Sequence, residues 1–353
     1  MRNPFNIFKH LPHLLRKKFD EKYIIIESDD WGLERALNKD SVKWMERKYG
    51  LEKLSRWSYD SLESREDLNG LYDILEKYKN KFEFPPVITA NFITHNVNYS
   101  SKEDLDFMPL KQGFNKQSED VRDLYKKGIN NNYIFPQLHG YSHYDVTELA
   151  KFFKTDEGKE SFNKDFFTAR STTRGNLKFC HGELSNLNGS DDKIKEAAEA
   201  FKNFFGFYSS SIIPPTFILD RQFINSLKAN NITMIQSSNR LVTSDNKRFS
   251  YPNFQKRKGI YWSVRNARLD PHPDYKFYYQ QCLESIGRAF VNETPAVIDF
   301  HRVNISGRYA PEYRDRTFKE LKLLLNSIHD KWPEARFIHS QKLNEILWQP
   351  KTK

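Results

Sequence analysis

Apolar and polar positions along the chain follow two alternating rhythms. Tyr23-Ile-Ile-Ile-Glu-Ser28 is a short β-branched run that breaks at Asp29-Asp30-Trp31-Gly32, which predicts a buried strand running into a turn. From Leu68 the apolar positions Leu68, Leu71, Tyr72, Leu75 and Tyr78 recur at helical spacing, and Pro85-Pro86 stops them before a second strand at Val87–Phe92. The alternation goes on with a charged helix near Glu119–Lys127, a strand at Tyr133–Leu138 and helical segments between Val146 and Thr168. A helix capped near Ser190 or Asp191 follows, with Ile194, Ala197, Ala198, Phe201 and Phe205 on one face. Ser211–Leu219 reads as extended, and Asp220 caps a helix carrying Phe223, Ile224 and Leu227. Further strands are predicted at Ile232–Gln236, Gly259–Val264 and Pro295–His301, before a last long helix through Phe318, Leu321, Leu325 and Ile328 and a final strand at Arg336–His339.

Strands alternating with helices of this length predict an α/β fold of parallel strands joined by crossover helices. Seven or eight such units suit a closed or nearly closed TIM-like barrel, with an open doubly wound sheet as the other arrangement the pattern allows. No low-complexity tract or Gly/Ser linker divides the chain. The expected organisation is a basic N-terminal extension over 1–19, one barrel domain over 20–347, and an insertion near 141–178.

Composition narrows the class of molecule. With 353 residues, 38% hydrophobic and 15% aromatic, the chain can bury a large core, so disorder is excluded as its main state. Its two cysteines, Cys180 and Cys282, exclude a disulfide scaffold and a Cys-built zinc site, and favour a reducing compartment. The charge of +10, from 56 Lys+Arg against 46 Asp+Glu, is spread along the chain, and no nucleic-acid recognition motif accompanies it. The longest apolar strings fall far short of the ~20 residues of a membrane span, and mean hydropathy is −0.77. Residues 1–19 are interrupted by Pro4 and Pro12 and lack the apolar region of a signal peptide, so a cytoplasmic location is expected. Their Phe, Ile and Leu residues can touch a membrane surface, although packing across a barrel end is the simpler account.

Catalytic groups of a βα barrel sit where strands end, and three strand ends are unusual here. They are Asp29-Asp30-Trp31-Gly32, His139-Gly140-Tyr141-Ser142-His143 and His301-Arg302. Two His four residues apart can face one way if the segment makes a helical turn, and a carboxylate from another strand then completes a facial set of three metal ligands. Successive side chains leave a strand on opposite sides, so Asp29 and Asp30 cannot serve one ion alike. One can ligate while the other acts as base; alternatively, both acids merely order the turn.

The order Ser28-Asp29-Asp30-Trp31-Gly32, His139-x-x-x-His143 and a late strand ending in His301 resembles the NodB-type polysaccharide deacetylases. The fuller wording, Glu27-Ser-Asp-Asp-Trp-Gly32, Gln137-Leu-His-Gly140 and Asp299-Phe-His-Arg-Val-Asn304, most resembles the bacterial branch found with surface-polysaccharide genes. The resemblance covers roughly residues 20 to 345 and implies a distorted (β/α)7 barrel. It implies Asp29 as catalytic base, Asp30, His139 and His143 as ligands of a divalent ion, zinc by expectation, and His301 as general acid. Two departures stand out: Trp31 intervenes before Gly32 where the family usually has Asp-Asp-Gly, and Ile212-Ile-Pro-Pro-Thr216 lacks the Arg of the third motif. Arg221, Arg265 and Arg302 are the candidates to replace that Arg. Asp299, two residues before His301, shares its face and is placed to keep it charged.

The expected substrate contacts are Trp31, Tyr141 and Arg302, with Tyr144, Tyr261 and Trp262 as further rings able to stack on a sugar. His95 and the His181-Gly-Glu183 stretch either border the substrate or serve the loops; His329 and His339 are expected outside catalysis. The implied activity is metal-dependent removal of an acetyl group from an N- or O-acetylated sugar or polysaccharide. Two rivals are a glycosidase using Asp29 and Asp299, and a glycan-binding protein without turnover.

Overall fold

The computed structural model describes residues 17–50, 56–101, 104–165, 183–184, 190–238, 241–245, 247–273 and 275–349. Most of the N-terminal extension, positions 166–178 of the insertion, Cys180 and His181 lie outside them.

The wall of the molecule is built from β1 (Tyr23–Trp31), β2 (Ile88–Ile93), β3 (Ile134–Gly140), β4 (Ser211–Ile212), β5 (Met234–Ser237), β6 (Ile260–Val264), β7 (Ala267–Arg268) and β8 (Ala296–Asp299). They pair in parallel in that order from β1 to β6, β7 pairs with β8, and β8 pairs back onto β1. The closing step lies between β6 and β7: Arg265 N–H donates to Ser237 O on one side, and Asn266 N–H to Val297 O on the other, both at 3.0 Å. One extended segment thus crosses from the β5 edge to the β8 edge, and the sheet closes as the distorted seven-place barrel expected from the pattern and the resemblance. Arg336–Phe337 adds a short parallel strand at the start of β1.

Crossover helices wrap the outside: α1 (Arg65–Glu76), α2 (Arg122–Asn130), α3 (Ser190–Phe205), α4 (Phe223–Ala229), α5 (Tyr279–Val291) and α6 (Pro311–Lys331). α1 starts at a capping box in which Ser64 and Asp67 satisfy each other's backbone N–H. The stretch expected to be extended to Leu219 forms a strand only at Ser211–Ile212, with a single parallel bridge further on between Ile218 and Val242. Pro214-Pro215 and left-handed Thr216 (φ 53°) and Phe217 (φ 59°) end the strand.

Strand alternation divides the core. Ile24, Ile26, Ile88, Ala90, Ile134, Ile235 and Ile298 face the helices in the main apolar cluster. Ile25, Met234 and Val297 face the bottom of the barrel with Leu343 and Leu347 of α7 (Ser340–Trp348), which plugs that end. This is why Ile24-Ile25-Ile26 is apolar at every position: both faces of β1 are buried. Above that plug the interior turns polar, with Glu27, Thr89, Asn91, Gln137, Ser211 and Gln236 fully buried. Their hydrogen bonds join them: Gln137 Oε1 accepts from the Ser211 N–H (2.9 Å) and hydroxyl (2.7 Å), and Gln236 and Asn91 donate to each other's side chains. The helices Val146–Phe153 and Asp156–Asn163 form a separate apolar cluster with Leu33, Leu37, Ile93, Val97 and Tyr99. No helix among the described residues is long and apolar enough to cross a membrane.

Candidate active site

β1 ends in an irregularity: the pairing with β2 shifts between Ser28 and Trp31, and Asp30 takes a left-handed conformation (φ 69°) that Asp tolerates better than most residues. The shift lets both adjacent carboxylates serve the barrel mouth toward different partners. Asp30 meets His139 and His143, while Asp29 meets Arg265 and Asn91.

His139 Nδ1 lies 2.9 Å from the carbonyl oxygen of Ile213, which can only accept, so Nδ1 carries the proton. In the neutral ring Nε2 then presents a lone pair to Asp30 Oδ1 at 3.2 Å, and His143 Nε2 approaches the same oxygen, also at 3.2 Å. Lone pairs converging in a buried site repel unless a proton or cation lies between them. One ligand atom from each of Asp30, His139 and His143 falls within 4.8 Å of the others. Two imidazoles and a carboxylate, one imidazole oriented by a backbone carbonyl, fit a divalent cation such as zinc.

The two histidines do not meet through a helical turn. β3 ends at Gly140, and the following residues bend, with positive φ at Gly140 (128°) and His143 (70°). Glu183 holds the bend: one carboxylate oxygen accepts from Tyr141 N (2.6 Å), the other from Ser142 N and His143 N (both 2.9 Å). Burial raises the Glu183 pKa to about 7 against these N–H donors. Gly140 is required twice over, by its φ and because a Cβ there would lie 1.8 Å from Glu183 Oε1. In the sequence Glu183 stands out only as a loop neighbour of His181, since its burial against the bend shows only in the structure.

Arg265 is the cation that faces Asp29. Its Nη1 and Nη2 donate to Asp29 Oδ2 (2.7 Å) and Oδ1 (2.6 Å), Nη1 also to Asp299 Oδ1 (2.7 Å), and Nε to Glu27 Oε2 (2.9 Å). Burial opposes ionisation of Asp29, yet Arg265 and then His301 outweigh it and hold the pKa at about 2. Three carboxylates share one guanidinium, and burial pushes the deepest, Glu27, up to about 7. Asp29 and Asp299 both accept from Arg265 Nη1, so a shared guanidinium nitrogen engages the two carboxylates that a glycosidase would need free to flank the sugar.

His301 lies between these acids, Nδ1 3.3 Å from Asp299 Oδ1 and Nε2 3.6 Å from Asp29 Oδ2. With Asp299 it forms the more open part of the site, 15% of each side chain being exposed against 3% for His139.

The structure places the expected substrate contacts in buried positions. Trp31 is fully buried, donates from Nε1 to Ser28 Oγ (2.8 Å), and packs on Phe92 and Tyr125. Arg302 is fully buried, with Nη2 3.0 Å from Asp60 and Nη1 3.4 Å from Glu63, because the chain after β8 is fastened to the chain ahead of α1. Tyr141, 5% exposed, stacks on His95 with ring centroids 3.9 Å apart. Tyr144 and Trp262 are buried as well. Arg221 is exposed and lies over Phe249. His329 packs on Phe82 and His339 on Phe135, both apart from the mouth.

No family model matches the chain, and no curated protein matches it in sequence. Among solved structures it is similar to a family 4 acetyl xylan esterase from Clostridium thermocellum in complex with a cobalt ion, at 10% identity over 92% of this chain and 91% of that one, TM-score 0.41. It is similar to the peptidoglycan deacetylase PdaC from Bacillus subtilis at 8% identity over 93% and 92%, TM-score 0.41. It is also similar to a 4-alpha-glucanotransferase from Thermococcus litoralis at 10% identity over 92% of this chain and 38% of that one, TM-score 0.47. The fold rests on the strand pairing, and the chemistry on the geometry of the site.

Proposed function

We propose that this chain is a metal-dependent carbohydrate deacetylase of the NodB type, hydrolysing an acetyl group from an acetylated sugar. The observation that carries the reading is the division of two adjacent acids: Asp30 joins two imidazoles in a ligand set, while Asp29 is clamped by Arg265 beside His301. A turn-ordering role for the acids accounts for neither arrangement.

Asp30, His139 and His143 would hold the cation, which when bound supplies Lewis acidity toward water and the acetyl carbonyl. Asp29, ionised at neutral pH, accepts the proton of the attacking water. With a pKa of about 2 it is a weak base, and suits a water already acidified. His301, flanked by Asp299 and Asp29, donates a proton to the departing amine or alcohol as the C–N or C–O bond breaks. Arg265 restores the charge missing from the third motif, which favours an enzyme over a binding protein without turnover.

The test is metal analysis of the purified protein, then acetate release from a panel of N- and O-acetylated saccharides. Stoichiometric zinc or a related ion with acetate release at unchanged chain length is expected. A change in chain length without acetate, or metal-independent turnover, would overturn the reading.

A further inference from the structure

Of the aromatic side chains nominated for sugar contact, the buried ones are unavailable, which leaves open what a sugar would rest on. Trp57, which the sequence reading passed over, stands beside His301. The two rings meet edge to face with centroids 5.2 Å apart at 87°. Trp57 lies in a single helical turn, Arg56–Tyr59, ahead of α1; it is partly exposed and belongs to none of the apolar core clusters.

The ring is held firmly for a surface residue. Its Nε1 donates to Tyr275 OH (3.3 Å), and the Arg56 guanidinium lies 4.7 Å from the Trp57 ring and 4.6 Å from that of Tyr275. Arg56 is in turn buried, with 1% of its side chain exposed, in a two-nitrogen grip on Asp270 and a 2.5 Å bond to Asn304 Oδ1. A buried ion pair is weak evidence for stability, since its desolvation offsets its attraction, but it fixes geometry well. Three chain segments that meet at the mouth, before α1, after β7 and after β8, are locked together there. The outcome is a rigid, partly exposed indole against the imidazole that would protonate the leaving group.

We propose that Trp57, with Tyr275 beside it, is the platform on which a pyranose ring of the substrate stacks while its acetyl group reaches the site next to His301. This rests on the deacetylase reading and adds the place where the sugar rests: an aromatic side chain binds the apolar face of a pyranose with little loss of side-chain freedom.

The experiment compares the wild-type chain with W57A, W57F and Y275L, using triacetylchitotriose and acetylated xylotriose as probes. It records KM, kcat, metal content and melting temperature, and also the Trp fluorescence change on adding each saccharide to metal-free protein. W57A is expected to raise KM about tenfold or more on the preferred probe, with metal content unchanged, and W57F to keep most of the affinity. The fluorescence response should disappear in W57F, because the reporting indole is gone while affinity remains. Should W57A not fold, W57F and Y275L carry the comparison, Y275L with an intermediate rise in KM. Acetate release with KM and saccharide binding unchanged in W57A or Y275L overturns the platform. A change confined to kcat and its pH profile also overturns it, since that would make Trp57 only a support for His301. If wild type releases no acetate but a saccharide binds in a Trp57-dependent manner, the platform stands and the deacetylase reading fails.

Discussion

Arg265 grips both carboxylate oxygens of Asp29 from the residue at which the barrel closes. A structural step and a chemical one therefore share one side chain: the chain must cross from β5 to β8 at Arg265 for the guanidinium to arrive beneath Glu27, Asp29 and Asp299. Lys at this position keeps the charge but offers one nitrogen where three donors are in use. R265K should lower turnover by ~10²-fold or more and move the acid limb of the pH–rate profile upward, because Asp29 loses the partner that depresses its pKa. R265A, which strands buried carboxylates, should cost about 3–5 kcal/mol in stability. Wild-type turnover with an unmoved acid limb in R265K would rule out this role.

Glu183 spans three backbone N–H groups with two oxygens, and Gln offers only one acceptor for the same donors. E183Q should loosen the bend that carries His143 and weaken metal affinity by ~10–100-fold, with a loss of about 1–3 kcal/mol in stability. G140A should do the same from the other side of the contact, by displacing the carboxylate. Metal titration and thermal melts read both effects, and unchanged metal affinity in E183Q would contradict the argument.

Much of the site was legible because its residues end strands. Asp29, Asp30, His139, His143 and His301 follow apolar runs, and a parallel barrel gathers strand ends at one mouth. The path by which they meet was less legible: spacing alone suggested a helical turn between the histidines, whereas positive φ at Gly140 and His143 and the remote Glu183 make the bend. Arg265 was one of three candidates, since nothing in local sequence tells which Arg lies at a barrel's closing step. Trp31 and Arg302 are buried for a shared reason. Both adjoin candidate site positions in sequence, but Trp31, the last residue of β1, and Arg302, just after β8, turn into packing around Tyr125 and Asp60. W31F and R302M should therefore lower the melting temperature while leaving KM of the folded protein within about twofold, in line with a loss of core contacts.

His339 provides a pH test away from the mouth. Its ring stacks on Phe135 at 3.7 Å, and its Nδ1 accepts from Lys342 N–H (3.2 Å) at the start of α7, which a protonated ring cannot do. Burial lowers its pKa to about 4. The folded value lies below the unfolded value of about 6.5, so its contribution is fully present above pH ~6.5 and is lost as pH falls toward 4. An NMR titration should find His339 neutral at pH 5.5. H339N, which retains a capping acceptor, should show a smaller drop in melting temperature between pH 7 and pH 5 than wild type. A His339 pKa near 6.5 would contradict this.

The sharpest test separates the two acids of β1. Asn at 29 preserves the shape and the contact with Asn91, yet it accepts no proton, so D29N should retain metal while the chemical step slows by ~10²–10⁴-fold. Asn at 30 replaces an anionic ligand by a neutral amide between two imidazoles, so D30N should lose metal affinity first and activity as a consequence. The metal-free readout differs as well. D29N relieves one of three carboxylates crowded on Arg265, but it leaves that guanidinium with less charge to meet, whereas D30N removes the negative charge that His139 and His143 share. If the acids only ordered the turn before Trp31, both variants would lose about 0.5–2 kcal/mol of stability and neither would alter metal binding. Metal content, melting temperature and acetate release measured side by side decide among these outcomes, and equal metal loss in both variants would refute the division of labour between Asp29 and Asp30.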